Sequence, residues 1–115
     1  MDLVLYHNPR CSKSREALAL LTARGLTPTI IEYLRTPLDH AALRALVAKL
    51  AVPVRALLRE KEAAYAALGL DAVDDDARLI DALVAHPELL ERPILVHGER
   101  AVIARPPSRV LELLP

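Results

Sequence analysis

Apolar and polar positions change period along this chain, from two to about 3.6 and back to two. Residues 2–6 hold Leu3-Val4-Leu5, which predicts a short buried strand. A polar block follows, and then Ala17, Leu18 and Leu21 recur on one helical face, with Gly25 as the natural stop. Residues 29–33 are rich in β-branched side chains and predict a second strand. A strand, a helix and a strand in this order predict a parallel pair joined by a right-handed crossover.

The middle of the chain reads as helical. Thr36-Pro37-Leu38-Asp39 opens a helix with Leu43, Leu46, Val47 and Leu50 at i, i+3, i+4, i+7. Pro53 opens a short helix through Arg59, and another spans about 62–68, closed by Gly69. Asp74 to Asp76 cap a helix carrying Leu79, Ile80, Leu83 and Val84, which His86-Pro87 ends. Strands return at 93–97 and 101–104 around Gly98-Glu99-Arg100, a hairpin signal. Pro106-Pro107 opens a last helix with Val110, Leu111 and Leu114. The order β-α-β, helices, β-β-α predicts an α/β protein with a four-stranded mixed sheet and flanking helices, the thioredoxin-like arrangement. Residues 1–115 are expected to form one domain, with a helical insertion at about 38–90 between strands 2 and 3.

Composition narrows the function. Lys plus Arg equals Asp plus Glu, so the net charge is zero. That argues against an electrostatically driven nucleic-acid binder. No apolar run reaches the length of a membrane span, and no basic segment with a long apolar stretch opens the chain. No membrane association and a cytoplasmic location are the expectations. His40, His86 and His97 show no metal-ligand spacing with one another or with the cysteine, so no metal site is expected.

The chemistry concentrates at Cys11, the only cysteine. It rules out an internal disulfide, a Cys-x-x-Cys pair and a cysteine-rich zinc site, and any redox role must draw electrons from another molecule. Cys11 lies in Tyr6-His7-Asn8-Pro9-Arg10-Cys11-Ser12-Lys13-Ser14-Arg15, between the first strand and the first helix. A helix N-terminus offers unpaired N–H groups and about half a positive charge. Arg10, Lys13 and Arg15 add full charges, and His7 is a candidate for another. All favour the thiolate, the reactive form, over a thiol whose ordinary pKa is about 8.5. Ser14 is a candidate hydrogen-bond donor to the sulfur.

These residues resemble the active-site loop of the arsenate reductase family that uses glutathione and glutaredoxin. The resemblance runs nearly end to end, through Thr29-Ile30-Ile31-Glu32-Tyr33-Leu34-Arg35-Thr36-Pro37, Val54-Arg55-Ala56-Leu57-Leu58-Arg59, Leu79-Ile80-Asp81, Arg92-Pro93-Ile94 and Arg105-Pro106. It implies that Cys11 attacks arsenate, that His7 helps keep it ionised, and that Arg59, Arg92 and Arg105 bind the oxyanion. It also implies that Pro93 is a cis-proline beside the site. Glutathione would be a co-substrate, with no tightly bound cofactor, and glutaredoxin would resolve the glutathione-linked cysteine. An oxyanion at this helix start would also gain N–H bonds from the region of Ser12, Lys13 and Ser14. The loop departs from the best-understood members, which carry a small residue before the cysteine and Gly-Thr after it; here Arg10 precedes Cys11 and Ser12-Lys13 follow.

Two other classes fit parts of the chain. A general glutathione-linked thiol oxidoreductase would use Cys11 and leave the arginines idle. A thioredoxin-like regulatory binding module would depend on neither, and Ser14 stands where a second cysteine of a redox switch would be.

Overall fold

The computed structural model describes residues 2–115. Its chain divides into two compact units, residues 1–36 with 92–115, and residues 37–91.

The first unit is built on a sheet. Strand β1 (Leu3–His7) alternates buried Leu3, Leu5 and His7 with half-buried neighbours, the period-two pattern of a strand with one face on a core. Helix α1 (Ser12–Ala23) turns Ser14, Ala17 and Leu21 inward, and Gly25 ends the turn beyond it at φ +75°, where a side chain would be strained. Strand β2 (Thr29–Glu32) then pairs parallel to β1, with Tyr6 opposite Ile31 and His7 opposite Glu32. The later strands are β3 (Ile94–His97) and β4 (Arg100–Ile103). β3 runs antiparallel to β1 and β4 antiparallel to β3, so the order across the sheet is β2-β1-β3-β4. This is the mixed four-stranded, thioredoxin-like sheet that the element order predicts. The hairpin is tighter than expected: His97 pairs with Arg100, leaving a two-residue loop with Gly98 at φ +62°.

The last helix is corrected. Residues Pro107–Leu113 form a 3-10 helix that buries Pro107, Val110 and Leu113, not an α-helix burying Leu114. Those three positions are three apart, the repeat of a 3-10 turn, and Pro106 and Pro107 withhold N–H groups from its start. It closes a core of Leu3, Leu5, Ala17, Leu21, Leu95, Val102, Ala104, Val110 and Leu113.

The second unit is helical. Helix α2 (His40–Leu50) starts where Asp39 accepts the Ala42 N–H at 2.8 Å, and it buries Leu43, Leu46 and Leu50. A 3-10 helix (Val54–Leu57) follows, then α3 (Ala63–Ala67) and a 3-10 turn (Leu70–Ala72). Both α3 and the segment after Pro53 are shorter than the sequence predicts. Helix α4 (Asp76–Ala85) is capped by Asp75, which accepts the Ala77 N–H at 3.0 Å. The Arg55 guanidinium donates to the Tyr65 hydroxyl at 2.7 Å and to the Leu70 and Val73 carbonyls, holding the short elements together. No helix among the described residues is long and apolar enough to cross a membrane.

Leu5 and Leu95 have no solvent exposure at the centre of the sheet. Leu95→Ala is therefore expected to destabilise the protein by about 2–5 kcal/mol. Ile30→Ala, at a residue 44% exposed, is expected to cost under about 1 kcal/mol. Urea unfolding of both variants checks the difference.

Candidate active site

Cys11 is the residue before the first turn of α1, with extended backbone angles of φ −91° and ψ 123°. Local bonds hold it there. Its N–H donates to the Asn8 carbonyl at 3.0 Å, and its own carbonyl accepts the Arg15 N–H at 3.0 Å. The Asn8 side chain accepts the Arg10 N–H at 3.0 Å, an Asx turn ahead of the cysteine. The Asn8 N–H donates to the Ser14 hydroxyl oxygen at 3.2 Å, and the Arg15 guanidinium donates to the Pro9 carbonyl at 3.0 Å. The loop is thus tied to the helix from both ends.

This geometry decides the state of the sulfur. Partial burial pushes the Cys11 thiol up, but the N–H groups of Ser14 and Lys13 and the charges of Arg92 and Arg105 outweigh it and bring the pKa down. The neutral side chain makes no full capping hydrogen bond. The two N–H groups lie at the second and third helical positions, those that a capping side chain faces.

The charges acting on the thiol differ from those nearest in sequence. Arg10, Lys13 and Arg15 were the local candidates, yet Arg92 and Arg105 exert the effect. Arg15 is occupied by the Pro9 carbonyl. Ser12 and Lys13 have exposed side chains and contribute to the helix start through their backbone. Ser14 is fully buried; its hydroxyl braces the loop, and its N–H faces the sulfur. His7 is only 5% exposed, and burial, aided by Arg15 and opposed by Glu32, lowers its pKa. That shift works against a charge on the ring rather than for one.

Arg92 is the most telling neighbour. It leads into β3 through a cis Arg92–Pro93 peptide bond, and its carbonyl accepts a 2.7 Å hydrogen bond from Arg105. The Arg105–Pro106 bond is also cis, which the sequence reading did not anticipate. The Nε and Nη1 groups of Arg92 are buried without a hydrogen-bond partner. Buried unpartnered guanidinium N–H groups are costly, and an oxyanion supplies the acceptor oxygens that these two lack. Arg59 lies in the other unit, where Glu62 at 3.1 Å and Glu91 at 3.5 Å flank its guanidinium. Among the described residues, no group of three His, Cys, Asp or Glu side chains is placed to hold a metal ion.

Comparison with known proteins gives the family. The model of the ArsC family matches residues 6–113. The chain belongs to the ArsC family. It is 44% identical to an arsenate reductase from Haemophilus influenzae over 99% of this chain and all of that one. It is 48% identical to an uncharacterised protein of Escherichia coli over 96% of this chain and 94% of that one. Among solved structures, an arsenate reductase from Vibrio cholerae superposes with a TM-score of 0.96 at 46% identity, covering 99% and 98% of the two chains. The ArsC-family fold and a redox-active cysteine enzyme follow for this chain.

Two outcomes are expected at the loop. Ser14→Ala leaves the Asn8 N–H without its acceptor and is expected to cost about 1–3 kcal/mol, read by urea unfolding. Because the Cys11 pKa is lowered, the thiolate should persist to lower pH than in an ordinary thiol and be lost as pH falls through that lowered value. Iodoacetamide alkylation across pH should show this, and Arg92→Met should move the midpoint upward.

Proposed function

We propose that this protein is an arsenate reductase that works through a covalent adduct on Cys11. The observation that carries the reading is the juxtaposition of a thiol biased towards its anion with Arg92, whose buried Nε and Nη1 lack an acceptor. A thiolate repels an oxyanion, and fixed cationic donors remove that obstacle. The Cys11 thiolate attacks arsenic(V), forming an S–As bond as water leaves. Glutathione thiolate then attacks the Cys11 sulfur. An S–S bond forms, the S–As electron pair passes to arsenic, and arsenite departs as arsenic(III). Glutaredoxin takes the glutathionyl group and returns Cys11 as thiolate.

An external thiol is required because Cys11 is the only cysteine of the chain. Ser14 and Lys13 act through their N–H groups, with Ser12 completing the helix start. Arg105 orients Arg92 through its carbonyl and shares the oxyanion charge. Arg59, which the family resemblance nominates for the oxyanion, is flanked within its own unit by Glu62 and Glu91. His7 serves as a buried neutral neighbour rather than a cation. Such thiol chemistry suits a reducing compartment, which supports a cytoplasmic location. A general thiol oxidoreductase would leave the unpartnered Arg92 Nε and Nη1 without a purpose.

The test is NADPH consumption with arsenate, glutathione, glutaredoxin and glutathione reductase. Arsenate-dependent turnover should be absent in Cys11→Ser. In Arg92→Ala, kcat/KM for arsenate should fall by roughly 10²–10³. Turnover that survives in Cys11→Ser, or that ignores arsenate, would overturn the reading.

A further inference from the structure

A cavity of about 420 Å³ opens beside the Cys11 loop, lined by His7, Asn8, Arg10, Glu32, Leu34 and Arg35 among its residues. Its volume falls in the range of small-molecule sites. All of these residues belong to the sheet unit. His7 ends β1, Glu32 ends β2 opposite it, and Leu34 and Arg35 follow β2. The mechanism above uses none of Arg10, Glu32, Leu34 or Arg35.

The geometry points to this cavity as the subsite that seats glutathione, with its carboxylates on Arg10 and Arg35 and its ammonium on Glu32; this rests on the arsenate reductase reading. Three observations support it. The first is charge. Glutathione carries two carboxylates and one ammonium at neutral pH, and the cavity presents two guanidinium groups and one carboxylate. Among the described residues, the side chains of Arg10, Glu32 and Arg35 enter no hydrogen bond or ion pair, so all three are available to a ligand. Guanidinium groups suit carboxylates because their N–H fork matches two oxygens.

The second is an orphaned polar atom. His7 lines the cavity, is 95% buried by the complement of its 5% exposure, and its Nδ1 has no hydrogen-bond partner. A peptide group of the tripeptide gives that nitrogen a partner. Leu34, 45% exposed at the rim, offers an apolar contact to the methylene groups.

The third is direction. Displacement at sulfur runs in line, so the attacking thiolate approaches Cys11 from the side opposite the departing arsenic. Arg92 and Pro93 lead into β3, which flanks β1 on one side, and β2 flanks it on the other. With the oxyanion held on Arg92, the second thiol comes from the β2 side, to which the cavity's Glu32, Leu34 and Arg35 belong.

The experiment separates this site from the arsenate chemistry. S-methylglutathione has no thiol, so its binding to Cys11→Ser protein, read by calorimetry, reports the subsite alone. Arg35→Ala and Glu32→Gln in that background should each weaken binding roughly tenfold, with Arg35→Lys recovering part of the loss. In the coupled assay the same substitutions in the Cys11 protein should raise the glutathione KM roughly tenfold and leave the arsenate KM unchanged. If arsenate turnover fails but S-methylglutathione binding depends on Arg35 and Glu32, the subsite stands and the substrate assignment falls. Absence of binding at millimolar ligand, or binding and glutathione KM indifferent to both residues, would sink the proposal.

Discussion

A negative sulfur held at the start of a helix is the constraint on which the rest of the site depends. A thiolate needs N–H donors that are already in position, because organising them at the moment of reaction would forfeit their advantage. Here the donors are the Ser14 and Lys13 N–H groups, and they stay in place because the loop ahead of them cannot move independently. The Asn8 N–H to Ser14 hydroxyl bond spans the cysteine, and the Arg15 to Pro9 bond spans it again. Both anchor to a helix whose Ala17 and Leu21 are sealed against β1 and β3 in the core. The burial of Ser14 is therefore part of the chemistry: the same turn that packs the helix presents the N–H groups.

The sheet order supplies the second half of the arrangement. A central β1 has a neighbour on each side, and the two neighbours arrive from opposite ends of the chain. β3 brings Arg92 and, through β4, Arg105, which are the charges that bear on Cys11. β2 brings Glu32 and then Arg35 to the other side. A reaction that joins one sulfur to an oxyanion and then to a second thiol needs two approaches in line. A cysteine following the middle strand of such a sheet has them, whereas one at a sheet edge would have a single flank built by strands.

Much of this was legible in the sequence because it is local. The apolar run of β1, the 17–21 spacing of α1, the Gly25 stop and the Asp39 and Asp75 caps all act within one turn or one strand. What was not legible depends on burial and on distant partners. His7 looks like a cation until its 5% exposure is known, and that burial lowers its pKa. Ser14 reads from sequence as a donor to the sulfur, and its burial and its bond to the Asn8 N–H become visible only in the fold. Arg92 and Arg105 sit more than eighty residues from Cys11, and the resemblance nominates them for the oxyanion, not for the charge on the thiol. The final 3-10 helix was hidden for a subtler reason: Val110 fits both a 3-residue and a 3.6-residue repeat, and Leu113 against Leu114 decides between them only after packing.

The same distinction explains the unusual charge of the loop. Arg10 stands where the resembling loops carry a small residue, and a cation next to a reactive cysteine invites the reading that it lowers the thiol pKa. The structure gives that work to Arg92 and Arg105, and Arg10 is exposed on the flank that faces the cavity beside β2. Sequence adjacency to Cys11 sets the side chains of successive residues in different directions when the backbone is turning, as it is between Asn8 and Ser12. An arginine there meets whatever occupies the β2 side, not the anion on the β3 side. The loop therefore carries charge for two ligands on its two faces, and its departure from smaller loops is a difference in the second face rather than in how the thiolate is made.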